Sequence, residues 1–369
     1  MVAVALNDGV RVGPPSNPVV LAPGRPPRVV EEQTRRFLAE LAEQGVLDAG
    51  DDEDTATSLQ LLVDCGFVTA EGVTPNAGAL EAAYTPTLTD LTLKLSVPAL
   101  RRIVSVLSFL VWPATTMPGV VIGLALLCVS TVYVTLIAPV SASISPLIDH
   151  PAVTMVALFV WNLLRALPHE AGHFSVARRA GFTPDAGMGL YLYGPVFYVD
   201  LTCVELEPKQ VRVRADLAGV SVDGWVCGAL LVVAVVIREP WLYTLLLSDC
   251  AVALANLRPT EKYDGFWALR DIFDARGMSA TWASPRRLLE FMRNGSPAEK
   301  RFSVALVGIY AFVAAWVIAA TPRWVQEGVS ELTQRPASVA FAALIAVAYA
   351  GIIIGSVAIV KRRIGRVAV

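Results

Sequence analysis

The stretch that decides the fold lies at residues 151–179 and reads PAVTMVALFVWNLLRALPHEAGHFSVARR. Its first half is long and apolar enough to lie in lipid as a helix. Near its end stand His169 and His173, two of only three histidines in the chain, with Glu170 between them. Residues at positions i and i+4 share one face of a helix, so both imidazoles can reach one metal ion. The intervening glutamate is the usual general base in such a motif, which is typical of a zinc protease.

The composition of the whole chain agrees with a membrane location. Of its 369 residues, 55% are hydrophobic and 17% are charged, a balance typical of a protein with several membrane spans. The formal net charge of −2 indicates no nucleic-acid partner. The five cysteines are scattered without a CxxC pair, which argues against a disulfide framework and a thiolate zinc site. We expect an all-α polytopic membrane protein.

Six apolar stretches are candidate membrane spans. Only helices or closed barrels satisfy the backbone in lipid, and these stretches are too long for barrel strands. The fourth is short, and a basic, apolar stretch at residues 98–112 precedes the first and is expected to lie along the interface. The spans cover about residues 118–139, 151–173, 215–237, 241–255, 302–320 and 338–360.

Basic residues near the span ends predict the orientation, because they favour the cytosolic side. By this rule the connections at residues 141–150, 238–240 and 321–336 face outward. Residues 1–30 lack the pattern of a cleaved signal peptide, so we expect both termini in the cytosol and the chain in a plasma membrane. The basic groups assigned to the cytosol are Arg101-Arg102, Arg178-Arg179, residues 258–301 and Lys361-Arg362-Arg363.

Residues 1–98 form a polar region with fourteen acidic and six basic side chains. Residues 31–47 have the apolar periodicity of an amphipathic helix, and residues 58–67 form a second periodic piece. We expect a small N-terminal cytosolic domain. The region is either a small helical domain or loosely ordered tail, or a docking module for a peptide substrate.

The loop at residues 183–214 contains a small β-hairpin insertion by its pattern. Residues 187–200 alternate small, aromatic and β-branched side chains with glycines and one proline. A strand edge in this 187–200 loop can bind an extended peptide through main-chain hydrogen bonds. A hairpin that only packs against the bundle is an equally open interpretation.

A catalytic zinc needs a third protein ligand besides the two histidines. The topology places His150 on the opposite side of the membrane. Cysteine is chemically suitable, but no cysteine has a neighbourhood that indicates a ligand. Asp264 is favoured, because it lies where the fourth span returns to the cytosol, at the depth of His169 and His173. The alternative is a loop residue in an Asp-Gly turn.

Two further carboxylates lie within apolar spans, where charges are costly and face the protein interior or a water-filled cavity. Asp223 is expected either to orient a histidine from behind the metal or to be a buried structural group. For Asp249 the structural role is preferred.

The motif at 169–173 resembles the HExGH box of the site-2 protease family of intramembrane zinc metalloproteases. Residues 256–265, NLRPTEKYDG, look like the second box of that family, NxxPxxxxDG, with identical spacing. The resemblance implies one Zn²⁺ held by His169, His173 and Asp264, with Glu170 activating water. It also implies that Asn256 holds the substrate or stabilises the oxyanion.

Within that family, the chain is most similar to bacterial peptide zinc metalloproteases that accompany ribosomally made, modified peptides. The similarity lies in RRAG at 178–181, GPVFYVD at 194–200 and YDGFW at 263–267. Residues 99–369 would then form a six-span metalloprotease domain, comprising the zinc helix 151–179, the hairpin loop and the second motif.

The expected function is hydrolysis of a peptide bond in a membrane-associated peptide, as in maturation or leader processing of a modified peptide. The alternative substrate is a membrane-anchored signalling protein that is cleaved in regulated intramembrane proteolysis. A non-enzymatic metal transporter or immunity protein is the rival class. The chain has no internal repeat of the kind found in transporters, and an inactive zinc site has no need of Glu170. The oligomeric state is left open.

Overall fold

The computed structural model describes much of the chain. The described residues are 2–13, 19–21, 28–29, 32–49, 58–60, 62–63, 67–74, 93–191, 194–258, 263–275 and 285–333. The chain divides into two compact units. The first unit comprises Met1–Trp112 and Glu170–Ala215, and the second comprises Pro113–His169 and Asp216–Val369.

Within the described ranges, nine strands form three small sheets, and helices make up most of the rest. The strands are β1 (Val2–Leu6), β2 (Arg11–Val12), β3 (Val19–Leu21), β4 (Arg28–Val29), β5 (Val46–Ala49), β6 (Val68–Ala70), β7 (Leu93–Ser96), β8 (Ala186–Tyr191) and β9 (Gly194–Val199). The helices are α1 (Glu32–Gln44), α2 (Pro98–Leu110), α3 (Met117–Val132), α4 (Val140–Asp149), α5 (Pro151–Arg179), α6 (Lys209–Ile237), α7 (Pro240–Asn256), α8 (Asp264–Phe273), α9 (Pro285–Asn294) and α10 (Pro297–Thr333).

The amino-terminal residues contain more β-structure than their sequence indicated. The helix expected at residues 31–47 is present as α1, but six short strands stand around it. β1 is the middle strand of an antiparallel sheet with β5 and β6. Val4 of β1 packs in a buried cluster with Leu38 and Leu41 of α1. These strands have two to five residues, too few to show a clear alternation of apolar and polar side chains.

The hairpin expected within residues 183–214 is present. β8 and β9 pair in antiparallel fashion, with Ala186 opposite Val199. β7 adds to the other side of β8, a strand that the sequence did not predict. The sheet order β7-β8-β9 leaves β7 and β9 as its two edge strands.

Helix α2, the segment expected to lie along the interface, has apolar side chains on both its buried and its exposed sides. Leu100 and Val104 are buried, whereas Ile103, Val106 and Phe109 are exposed apolar side chains. The guanidinium of Arg178, at the end of α5, stacks 4.1 Å above the Phe109 ring, and Arg179 stacks at the same distance above Trp112. Such stacking lets a cation and an aromatic ring share one boundary between apolar and aqueous surroundings.

Four of the described helices are long and apolar enough to cross a membrane. They are Met117–Ile137 (α3 with a following π-helical turn), α5, α6 and the Pro297–Glu327 part of α10. These helices correspond to four of the six expected spans. The expected span at 241–255 is α7, which has 17 residues, and the expected span at 338–360 lies outside the described residues. We conclude that the chain is a membrane protein, whereas six spans and the orientation stay predictions.

Helix α5 changes character along its length. Its first half carries a series of exposed apolar side chains, as a lipid-facing helix should. Every residue from 171 to 177 is buried. The exposed side chains are Val153, Met155, Val156, Phe159, Val160 and Leu164. The motif at 169–173 therefore begins where the helix passes from an exposed apolar surface into the protein interior.

Helices α3 and α6 approach closely at two glycines in the second unit. A Cβ on Gly224 would lie 1.9 Å from the carbonyl oxygen of Gly123, so only a hydrogen fits there. Ser221, one turn earlier on α6, donates a hydrogen bond to the carbonyl of Ala114 at 2.7 Å. Small residues and interhelical hydrogen bonds are the means by which helices associate in lipid. This contact fixes α6, which carries Asp223.

The Gly224→Ala variant should be destabilised by about 1–3 kcal/mol, because the methyl group overpacks the crossing with α3. Gly308→Ala is the matched control, since a Cβ there meets nothing within 4 Å and both glycines lie in long helices. Thermal unfolding in detergent, followed by circular dichroism, measures both variants. Equal melting temperatures for the two variants would contradict the close approach.

Candidate metal centre

Four side chains on α5 form one polar stripe: Trp161, Arg165, His169 and His173 follow one another at intervals of four residues. This spacing places them along a single face of the helix. Arg165, His169 and His173 are buried, with exposures of 6%, 7% and 5%. Buried polar groups at such positions need partners, and α6, α7 and α8 supply several of them.

His169 is held between two carboxylates. Its Nδ1 lies 2.8 Å from Asp223 Oδ2, and its Nε2 lies 3.2 Å from Asp264 Oδ2. The other oxygen of Asp223 pairs with the Arg165 guanidinium at 2.5 Å. Because an ionised carboxylate only accepts, Nδ1 of His169 carries the proton that it donates to Asp223. In the neutral ring Nε2 then presents a lone pair.

His173 is oriented in the same way by the backbone. Its Nδ1 lies 2.7 Å from the carbonyl oxygen of Ala215. A carbonyl can only accept, so the proton is on Nδ1 and the lone pair is again on Nε2. Histidines that bind metals usually have this arrangement, with the second ring nitrogen donating to a carboxylate or a backbone carbonyl.

Asp264 is the first residue of α8, and Gly265 explains how it reaches the site. A Cβ on Gly265 would lie 2.1 Å from the carbonyl oxygen of Leu257, so the start of α8 packs directly on the end of α7. Tyr263, with extended backbone, is the residue before the helix. The side chain of Asp264 is 22% exposed. Glycine is therefore required at position 265 by close packing, beyond any preference for a turn.

The three expected ligands lie together. Within the described residues, ligand atoms of His169, His173 and Asp264 all lie within 4.8 Å of one another. Two imidazole nitrogens and one carboxylate oxygen form a donor set that suits zinc, with a further position for water. Ligand atoms about 2.0–2.2 Å from zinc are separated by roughly 3.3 Å in a tetrahedron, close to the distance between His169 and Asp264. The 3.2 Å between His169 Nε2 and the Asp264 carboxylate fits either a proton on Nε2 or a cation bound by both groups.

The stripe extends away from this cluster through Asp249. Its Oδ1 lies 3.6 Å from Arg165 Nε and accepts a hydrogen bond from Trp161 Nε1 at 2.8 Å. Asp223 and Asp249 are 1% and 0% exposed. Arg165, Asp223 and Asp249 thus form a buried charged group that contacts His169.

The remaining expected residues have less specific surroundings. Glu170 is half-buried and lies about 60° around α5 from His173, given roughly 100° of rotation per residue. Asn256 is half-buried and is the last residue of α7, next to the Leu257 carbonyl that packs on Gly265. His150 follows the end of α4 and is exposed. The 187–200 loop is the β8-β9 hairpin.

The contact expected between Asp223 and a histidine is present, and Asp249 is a buried hydrogen-bonding group as expected. Sequence reasoning missed Arg165, which pairs with both carboxylates. A signal was available, since Arg165 is the one charged residue between Pro151 and Leu167 and stands four residues before His169. Charges within a membrane span usually pair with one another.

The Gly265→Ala variant should lose divalent-cation affinity by roughly tenfold or more, because the methyl group pushes Asp264 away from His169. Isothermal titration of the metal-free protein with Zn²⁺ measures the loss. Gly308→Ala serves as the control, since its methyl group has open space. Unchanged affinity in Gly265→Ala would show that the Leu257 contact does not position Asp264.

Comparisons with known proteins give no family assignment. No family model, no curated protein and no solved structure matches the chain.

Proposed function

We propose that this protein is a zinc-dependent intramembrane endopeptidase of the site-2 protease type. The observation that carries the proposal is the cluster of His169, His173 and Asp264, in which both imidazoles direct Nδ1 to an acceptor. The location adds support, because the first half of α5 exposes apolar side chains while the motif itself is buried. A soluble zinc protease has no need of such a helix.

In this proposal His169, His173 and Asp264 hold the zinc ion. When bound, zinc lowers the pKa of its water towards about 7 and polarises the scissile carbonyl. Glu170 takes a proton from the water as the water attacks the carbonyl carbon, and it passes that proton to the leaving amine. Asn256 is assigned to the oxyanion by the resemblance of residues 256–265 to the second family box.

The substrate is a peptide segment that reaches the site in extended form. A helical segment must first unwind, because its carbonyls are engaged in helical hydrogen bonds. Main-chain hydrogen bonding to an edge of the β7-β8-β9 sheet would hold an extended chain. The resemblance to enzymes of modified-peptide biosynthesis favours maturation or leader processing over cleavage of a signalling protein. A precursor-peptide gene beside the gene for this protein would support maturation.

Replacement of any proposed ligand should remove the metal. The variants His169→Ala, His173→Ala and Asp264→Ala are expected to fall from about one zinc per chain to a small fraction of it. His150→Ala is the matched control, because it removes the third histidine and should retain the metal. Elemental analysis of the purified, folded proteins gives the zinc content. Full zinc content in His169→Ala would refute the assigned site.

Glu170→Gln should separate metal binding from catalysis. The variant keeps its zinc, because Glu170 is no ligand, but peptide hydrolysis falls by roughly 10²-fold or more with loss of the base. Mass spectrometry of new peptide amino termini, in cells that express the wild type or Glu170→Gln, detects cleavage of any substrate that those cells contain. Identical termini in both cell populations would contradict the proposed activity.

A further inference from the structure

We propose that Arg165 is a positioning residue for the metal centre: its guanidinium fixes Asp223, and Asp223 in turn fixes the ring of His169. This inference rests on the proposed zinc site. It assigns to Arg165 a role in metal affinity, beyond that of an ion pair that stabilises the fold.

The contacts form an unbroken line from the interior of α5 to its metal-binding turn. Arg165 Nη1 lies 2.5 Å from Asp223 Oδ1, and Oδ2 of the same carboxylate lies 2.8 Å from His169 Nδ1. The two oxygens of Asp223 are therefore divided between the guanidinium and the imidazole. A carboxylate held at one oxygen cannot rotate freely, so the direction of the His169 Nδ1–H bond is set by Arg165.

Arg165 is itself held by a second carboxylate. Its Nε lies 3.6 Å from Asp249 Oδ1, and Trp161 donates a hydrogen bond to that oxygen. The delocalised charge of the planar guanidinium lies within ion-pair distance of Asp223 and Asp249 at once. A lysine ammonium is a compact point charge on a flexible stem and cannot extend along both carboxylates in this way.

Burial argues that this arrangement does more than stabilise the fold. The side chains of Arg165, Asp223 and Asp249 are 4%, 1% and 0% exposed. Removing charges from water costs several kcal/mol per ion, and apolar replacements of buried ion pairs often stabilise proteins. The line of contacts ends on a proposed metal ligand, and partners of this kind typically change metal affinity when they are removed.

The test is the zinc affinity of Arg165 variants, measured by competition with a chromophoric chelator. Arg165→Met is expected to raise the Kd by roughly 10–100-fold. Because this variant leaves two buried carboxylates without their cation, Arg165→Met/Asp249→Asn is the second variant, with one charge of each sign removed. It should show the same weakening. Asp249→Asn alone is the control, since it retains the pair between Arg165 and Asp223 and should change the Kd far less.

A second measurement separates positioning from stability. Labelling with ¹⁵N-histidine marks three rings, and in the zinc-loaded protein the Nδ1–H protons of His169 and His173 should be protected from solvent exchange by their acceptors. Loss of Arg165 should abolish protection at His169. Protection at His173 should remain, because its acceptor is the Ala215 carbonyl, which gives an internal control in the same sample.

The outcomes are distinct. Wild-type protein that binds no zinc refutes the proposed function itself. Wild-type protein that binds zinc, with an unchanged Kd and an unchanged His169 proton in Arg165→Met/Asp249→Asn, refutes the role of Arg165 alone. If that variant does not fold, Arg165→Lys decides: partial weakening with a faster-exchanging His169 proton supports positioning, and wild-type behaviour in both measurements overturns it.

Discussion

Ionisable side chains in an apolar helical bundle are costly unless each meets a partner of suitable charge and geometry. In this protein Arg165 on α5, Asp223 on α6 and Asp249 on α7 satisfy that demand together. Their pairing requires α6 and α7 to meet the same face of α5. The Gly123–Gly224 crossing fixes α6 against α3, and this sets the position of Asp223. The turn of α5 that carries His169 lies at one end of this charged group, so the geometry of the proposed metal site depends on helix packing.

In the second motif, at the end of α7, helix packing again sets the position of a carboxylate. The carbonyl of Leu257 packs where a side chain on Gly265 would otherwise stand, so the start of α8, with Asp264, lies directly against the end of α7. A carboxylate at the first position of a helix is also favoured by the helix dipole. The glycine after Asp264 is therefore required for packing, and the close approach has a chemical consequence. It places a carboxylate 3.2 Å from His169 Nε2.

What the sequence predicted depended on patterns that are local in the chain. Long apolar runs predicted the spanning helices, i and i+4 spacing predicted the shared face of His169 and His173, and alternation predicted the hairpin. Contacts between residues far apart in the sequence could seldom be predicted: His169 and Asp223 are 54 residues apart, and Trp161 and Asp249 are 88 apart. The strands before residue 98 were missed for the same reason, because β1 is stabilised by pairing with β5 and β6. The proximity of Asp264 to the two histidines was expected because the predicted topology placed them at the same membrane depth.

Along α5 the surroundings change from an exposed apolar surface to the buried candidate site. The run of exposed apolar side chains ends at Leu164. The next residue, Arg165, is buried, with only 6% of its surface exposed. Within about one helical turn the environment passes from hydrocarbon to a buried polar network that ends at His169 and His173. If the protein has the proposed function, a peptide bond that enters from the membrane would reach the proposed metal site only beyond this boundary. The Arg165 guanidinium pairs with Asp223 and Asp249 at this boundary, and Asp264 contacts His169 at the other end of the network, where the proposed ion would bind.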